Sequence, residues 1–362
     1  METLQKFTYA IKMTTMNGVS KRVTNNNSNN HQLHSKEQTN NLRNKINFHK
    51  VSWTHSFTGI FILGVELVVL IYRLLVSLLE AAYRLLMPPK EKSIAGEVVL
   101  LTGAGHGIGR ELAFQFASHG TKLVCWDIDE KGNKETKELL AQRGYKNVFT
   151  YKLDVSNREE VLATAEKVRK DVGDITIIVN NAGIMPSRPL KDHKPDEIRK
   201  IFDVNVLAHF WALEAFLPSM IKKNHGHIVA LSSMCGVIGI ANVVPYCASK
   251  FAVRGLMESL YEELRADDTK ERKSNIKFTT IYPIMVNTGL VKRPKNRFPL
   301  LLDLLTADVV ARKIVKAMRR DYKEVSLPVS MLTLDRIARL LPGKFIQAVK
   351  DFLDTGIDPD NW

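Results

Sequence analysis

Tyr246 and Lys250 stand four residues apart in Tyr246-Cys247-Ala248-Ser249-Lys250, and Ser233 lies thirteen residues before the tyrosine. On a helix, side chains at i and i+4 share a face. An ammonium beside a phenol favours the phenolate, so a group that ordinarily titrates near ~10 becomes able to take a proton closer to neutrality. A serine hydroxyl delivered from a neighbouring strand end can hold the reacting oxygen. The combination suits proton transfer at an alcohol or a carbonyl, and that chemistry needs a hydride partner.

The elements that must position these residues are legible upstream. Val98-Val99-Leu100-Leu101 reads as a buried strand, followed by Thr102-Gly103-Ala104-Gly105-His106-Gly107-Ile108-Gly109 and then by Ile108, Leu112 and Phe116 at helical spacing. Glycines let backbone approach a pyrophosphate, and the helix N-terminus offers free N–H groups. A second strand, Lys122-Leu123-Val124-Cys125-Trp126, ends at Asp127. A carboxylate there suits two ribose hydroxyls and repels a 2′-phosphate. With no Lys or Arg in the glycine turn, and none after Asp127 until Lys131, NAD is expected and NADP disfavoured. Further strands are expected over 148–153, 175–179, 227–231 and 277–282, so that Asp154, Asn180-Asn181-Ala182-Gly183, Ser232-Ser233 and Pro283 fall at strand ends, where open α/β sheets bind ligands.

These residues in this order resemble the short-chain dehydrogenase/reductase family: Thr102-Gly103-x3-Gly107-x-Gly109, Asn180-Asn181-Ala182-Gly183, Asn205, Ser233, Tyr246 and Lys250, over about residues 94–290. The resemblance implies a doubly wound parallel sheet (a Rossmann fold), a nicotinamide cofactor and an Asn205-Ser233-Tyr246-Lys250 catalytic set. It implies that Gly103, Gly105, His106, Gly107, Ile108 and Gly109 cradle the cofactor phosphates and that Asp127 holds a ribose. It further assigns Asp154 and Val155 to the adenine, and Asn181, Ala182 and Gly183 to a flanking wall. Tyr246 and Lys250 would meet the nicotinamide ribose, and Pro283 and Thr288 its carboxamide. By the same resemblance Asn205 holds a water linked to Lys250, and a homodimer forms through helices at 205–220 and 246–265. Ile284 stands where a glycine often follows the proline. Trp126-Asp127-Ile128, Tyr282-Pro283-x3-Asn287-Thr288-Gly289 and the apolar N-terminal stretch resemble the branch that holds 17-beta-hydroxysteroid dehydrogenases types 11 and 13 and the epidermal retinol dehydrogenases.

The chain is 362 residues long with a net charge of +14. Residues 1–50 contribute eight basic against two acidic side chains, and residues 291–350 fourteen against five, so the middle is close to neutral. Basic flanks on a neutral core argue against a nucleic-acid-binding core and suit anionic lipid headgroups. Residues 1–50 lack apolar periodicity, are rich in Asn and are expected to be disordered; Asn26-Asn27-Ser28 is a formal glycosylation sequon.

Residues 51–88 hold a long apolar segment interrupted by Glu66, Arg73 and Glu80 at intervals of seven, hence on one helical face. It can span a bilayer from about 57 to 76 and continue amphipathically, lie in the interface with the charged stripe toward water, or serve as a core helix. The lack of an apolar partner in the tail favours membrane attachment, with the endoplasmic reticulum or a lipid droplet as the expected site. Met87-Pro88-Pro89-Lys90-Glu91-Lys92 reads as a linker, 93–300 as the catalytic domain with its substrate loop, and 301–362 as a helical extension.

Cys125, Cys235 and Cys247 form no disulfide or metal spacing. They are expected to be small packing residues in a catalytic domain that faces the reducing cytosol. His106 is expected as a turn residue, and His209, His225 and His227 as structural. Met185, Met234, Val237 and Ile238 are expected to line an apolar substrate wall. The helical face of Met331, Leu334, Ile337, Ala338 and Leu341 is expected as core or subunit contact, with a membrane surface as the alternative. The functional expectation is NAD-dependent oxidation of a lipophilic alcohol; the alternatives are an NADPH-dependent carbonyl reductase and a non-catalytic lipid-surface scaffold.

Overall fold

A computed structural model describes residues 57–266, 273–298 and 304–360. The expected disordered tail at 1–50, its sequon, residues 51–56 of the apolar segment and 299–303 of the substrate loop lie outside the described residues. The chain divides into two units, Met1–Ala82 and Tyr83–Trp362.

In the first unit, helix α1 (Phe57–Leu86) begins and runs without interruption for 30 residues, a length of about 45 Å at 1.5 Å per residue. The stretch Gly59–Arg84 has a mean hydropathy of 2.3, and none of its residues is buried. Most of its leucines and valines are exposed, which water tolerates poorly.

The second unit is built on a seven-stranded parallel sheet in the order β10-β6-β5-β4-β1-β2-β3. The strands are β1 (Val98–Thr102), β2 (Lys122–Asp127), β3 (Val148–Lys152), β4 (Ile177–Asn180), β5 (His227–Leu231), β6 (Lys277–Pro283) and β10 (Glu324–Leu327). The intervening helices are α2 (Gly107–Ser118), α3 (Glu130–Gln142), α4 (Arg158–Asp171), α5 (Pro195–Phe202), α6 (Ala208–Lys223), α7 (Val244–Ala266) and α8 (Ala307–Arg319). A parallel strand is covered on both faces, which explains runs such as VVLLT with all five residues buried.

Alternate residues serve opposite layers. Val99, Leu101, Leu123 and Cys125 pack with Leu112 and Phe116 of α2 and Ile314 and Met318 of α8. Val98, Leu100, Val124 and Trp126 pack with Val161 of α4, Phe216 of α6 and Met257 of α7. The Trp126 and Phe216 rings lie 5.8 Å apart. Chain direction across the sheet reverses between β1 and β4, and the crevice at their carboxyl ends is where such sheets bind ligands.

After β6, the short β7 (Val286–Asn287) pairs parallel with β9 (Leu305–Thr306). Beyond β10 come α9 (Ser330–Ala338) and α10 (Gly343–Leu353), and then β11 (Gly356–Ile357), which pairs antiparallel with β8 (Pro294–Lys295). The tail thus returns over the segment that holds β8. The α9 face is not core: Leu332 is buried, whereas Leu334, Ile337 and Leu341 are exposed. No layer of the second unit remains to cover them, because the sheet's two faces are already filled by the preceding helices.

Candidate active site

The carboxyl ends of β1, β2, β4, β5 and β6 open into a cleft of about 1390 Å³. That exceeds the ~300–1,000 Å³ of a pocket for one drug-sized molecule and leaves space for two ligands side by side. Of the cofactor and catalytic residues expected from the sequence, all but Gly105 and Asn205 line this cleft.

The turn between β1 and α2 forms one end. Gly103 sits at φ +69°, where a side chain is strained. Gly109 packs so closely that an added Cβ would lie 1.8 Å from the Gly103 carbonyl oxygen. His106 holds the N-cap position with extended backbone (φ −157°) and makes no side-chain capping bond. The N–H groups of the first turn of α2 therefore stay open to a ligand, as an anion site requires.

Asp127 is buried at the end of β2. One carboxylate oxygen accepts the Gly105 N–H at 2.7 Å and the other the Asp129 N–H at 2.8 Å. Each oxygen keeps a further lone pair for a hydroxyl. Gly105 thus acts behind the cleft wall, by aiming Asp127. At the end of β3, Asp154 accepts from the Ser156 amide and hydroxyl and pairs with Lys200 at 2.7 Å. Burial alone would raise its carboxyl; the bonds from Lys200 and Ser156 outweigh that and hold it below its ordinary value. Lys200 was not anticipated, because its helix reaches Asp154 across 46 residues of sequence.

The Asn-Asn-Ala-Gly loop is pinned to the glycine turn. The Thr102 hydroxyl accepts from the Asn181 and Ala182 amides, both at 3.0 Å, and the Asn181 side-chain amide donates to the carbonyls of Thr102 and Gly103.

Ser233, Tyr246 and Lys250 meet on the opposite wall, all buried. Pro245 lies in the first turn of α7, where a missing N–H is harmless, and the helix sets Tyr246 and Lys250 on one face. Ser233 caps a short 3₁₀ turn (Met234–Gly236): its hydroxyl accepts the Cys235 N–H at 3.1 Å and lies 3.4 Å from the Pro283 carbonyl. Ser232 points elsewhere and donates to the Lys250 carbonyl at 2.8 Å. Asn205 is fully buried in a π-turn (Asp203–Leu207), a local irregularity common at functional sites. Its side chain accepts the Ile184 N–H at 2.8 Å and donates to the Ile184 carbonyl and to Ser249. These bonds hold the loop after Gly183 against α7. Ser249 escaped the sequence reading, since nothing but proximity distinguishes it from other helix serines.

The electrostatics differ from the simple expectation. Burial pushes the Tyr246 phenol well above its ordinary value, Cys235 adds to this, and a hydrogen bond with Ser233 opposes it. Lys250 does not offset that burial. Its Nζ donates to the Leu231 carbonyl at 2.8 Å and lies 5.6 Å from the centre of the Tyr246 ring.

Burial also lowers Lys250 itself to about 8, against a slight opposing influence of Cys235. Between pH 8 and 10.5 the unfolded chain therefore binds more protons than the folded one, and stability rises with pH across that window. The shift corresponds to about 3 kcal/mol. Lys250→Met is thus expected to melt higher than the parent at pH 7, by about 2–5 °C after the lost hydrogen bond is discounted. The advantage should shrink as pH rises toward 10.5, which calorimetry at several pH values will check.

The remaining expected residues fall as follows. Thr288 packs beside Gly107, closing the turn from above. Met185, Met234 and Ile238 line the cleft, while Val237 is buried beneath them with Met234 and Tyr282. Cys235 and Cys247 lie against each other and pack in one cluster with Tyr246, Met185 and Ile357. His227 lies at the far end of its strand, bonded to Thr279 and Lys92. Among the described residues no group of three or more His, Cys, Asp or Glu side chains could hold a metal ion.

A dinucleotide fits this donor set: an uncapped helix N-terminus beside glycine, a carboxylate with two free lone pairs one strand away, and a buried lysine at the far wall. With a phenol and a serine hydroxyl converging there, the cleft is that of a nicotinamide-dependent oxidoreductase acting on CH–OH groups.

The comparisons agree. The profile described as short chain dehydrogenase matches residues 97–297. The chain is 41% identical over 277 residues to human 17-beta-hydroxysteroid dehydrogenase 13, covering 76% of this chain and 90% of that protein. It is 40% identical to mouse epidermal retinol dehydrogenase 2, covering 80% and 92%. A crystal structure of a short-chain dehydrogenase/reductase from Burkholderia phymatum in complex with NAD superposes with a TM-score of 0.61 at 27% identity, covering 75% of this chain and 99% of that one. The chain belongs to the short-chain dehydrogenase/reductase family.

Proposed function

We propose that this protein oxidises a lipophilic secondary or allylic alcohol, of steroid, retinoid or other lipid type, with NAD, from a membrane surface. The observation that carries the reading is the convergence of Ser233, Tyr246 and Lys250 on one wall of a cleft whose other end is closed by Asp127. Gly103, Gly107, Ile108, Gly109 and His106 would hold the phosphates, Asp127 a ribose, Asp154 and Val155 the adenine, and Pro283 and Thr288 the carboxamide. Asn181, Ala182 and Gly183 would flank the ring. When bound, the nicotinamide accepts or returns the hydride.

Tyr246 exchanges a proton with the substrate oxygen, and Ser233 holds that oxygen by a hydrogen bond. With its phenol held up by burial, Tyr246 is ready to donate; to accept, it needs the Lys250 ammonium to turn from the Leu231 carbonyl toward it. Asn205 positions Gly183 and α7 through its side chain, and any water linked to Lys250 would fall to its backbone. The apolar lining and the steroid and retinol dehydrogenases among the relatives support the substrate class. The bare α1 helix supports membrane attachment, at the endoplasmic reticulum or a lipid droplet with the catalytic unit toward the cytosol. The exposed Leu207, Phe210, Val244 and Phe251 support a homodimer through α6 and α7.

The test is NADH formation by membrane-bound protein offered estradiol, retinol and long-chain alcohols; no turnover on any of them with NAD binding intact would refute the substrate class. A fold relative solved with NADP raises the second cofactor. Asp127→Ala should weaken NAD by about 1–3 kcal/mol, the worth of hydrogen bonds to a charged group, while leaving NADP binding equal or tighter. Fluorescence titration with both cofactors decides; equal losses for the two would count against the ribose role.

A further inference from the structure

The second unit carries an apolar surface that its own fold leaves bare. On α10 no residue is buried. Phe345, Val349 and Phe352 recur at i, i+4 and i+7 and so share one face, all exposed. The preceding helix and turn add Leu334, Ile337 and Leu340, the last 85% exposed. Exposed apolar surface on soluble domains, when extensive, marks interaction sites. The opposite side of α10 is occupied: Gln347, Lys350 and Leu353 line the active-site cleft. One helix therefore separates the cleft from an uncovered apolar face.

Charge indicates what covers it. Lys292 and Lys295 are paired with Asp360 and Asp354. Lys344, in the first turn of α10, meets no carboxylate among the described residues. Arg297 donates to the Phe352 carbonyl and lies against the rings of Phe298 and Phe352 at 5.5 and 5.4 Å. Aromatic rings at the edge of an apolar stripe, beside cations that meet no carboxylate among the described residues, match a membrane interface, with the rings at headgroup depth and the cations on the phosphates. A second copy of this chain would set Lys344 and Arg297 against the same cations.

We propose that the α9–α10 hairpin docks on a phospholipid surface bearing anionic headgroups, a contact additional to α1, and so places the cleft mouth at the lipid. It deepens the reading of a lipophilic substrate, which would pass along α10 without crossing water.

The test uses the full chain in phosphatidylcholine vesicles containing phosphatidylserine, with an environment-sensitive dye on Val349→Cys. The expected result is blue-shifted emission, lost several-fold when the lipids carry brominated acyl chains. Lys344→Glu or omission of phosphatidylserine should weaken both effects. A dye that remains water-like in every vesicle overturns the proposal. A blue shift that bromine does not quench and that fades on dilution with lipid also overturns it, assigning the face to a second copy. A Glu138→Cys label, on exposed α3, should stay unquenched; quenching there too would mean non-specific adsorption and would overturn the docking mode. None of these readouts involves turnover, so a failed substrate screen and a failed docking test remain distinct.

Discussion

Tyr246→Phe should lower kcat by about 10²–10⁴-fold, the usual worth of a positioned acid or base, while NAD affinity and melting temperature stay close to the parent's. The phenol is the group at which the cleft's hydroxyl chemistry converges. Its ring packs with Met185, Val243 and Ile357, contacts that phenylalanine keeps. Ser233 loses one partner but still accepts the Cys235 N–H. The substitution therefore removes a proton carrier without leaving a cavity. Initial-rate kinetics with calorimetric titration of NAD separates the two properties. Retention of more than a tenth of the parent kcat would refute Tyr246 as the acid or base.

Gly109→Ala should abolish measurable cofactor binding and lower the melting temperature. The added Cβ would lie 1.8 Å from a backbone oxygen of Gly103 and, if unmoved, 2.8 Å from the Asn181 amide. The first contact is with backbone and the second with a side-chain amide held by the Thr102 and Gly103 carbonyls, so α2 must shift against the turn that presents its N–H groups. Overpacking in a tight interior costs about 1–3 kcal/mol or more, equivalent to several degrees in a domain of this size. Gly255→Ala is the internal contrast: its Cβ meets nothing within 4 Å, and on an exposed helix position alanine is favoured by about 0.8–1.0 kcal/mol. Thermal melting of both variants, with and without NAD, checks the pair; equal behaviour would mean that close packing at the turn is unimportant.

Most of the parallel sheet was legible because its strands are continuous apolar runs ended by turn chemistry, a pattern set by local composition. β10 was not: Glu324-Val-Ser-Leu327 is a four-residue edge strand beginning on a charge, and it becomes a strand only by pairing with β6. The Tyr246–Lys250 spacing specified a shared helix face. It could not specify where the ammonium points, and the Leu231 carbonyl, from a strand nineteen residues earlier, takes the proton donor that the phenol was expected to receive. Asn205 shows the same division. Its place in the motif order was visible, whereas its side-chain partners, Ile184 and Ser249, lie 21 and 44 residues away.

By itself the sequence determined the order of strands and helices, the residue types at each strand end and the class of chemistry, because these depend on period, turn residues and functional groups close in the chain. Tertiary structure alone decided that Gly105 aims Asp127 from behind the wall, that Lys200 neutralises Asp154, that burial sets the protonation of Tyr246 and Lys250, and that the α9–α10 face is left bare. Each of these depends on what other segments leave uncovered or bring within hydrogen-bond reach. Such contacts join residues far apart in the chain, and no local pattern encodes them.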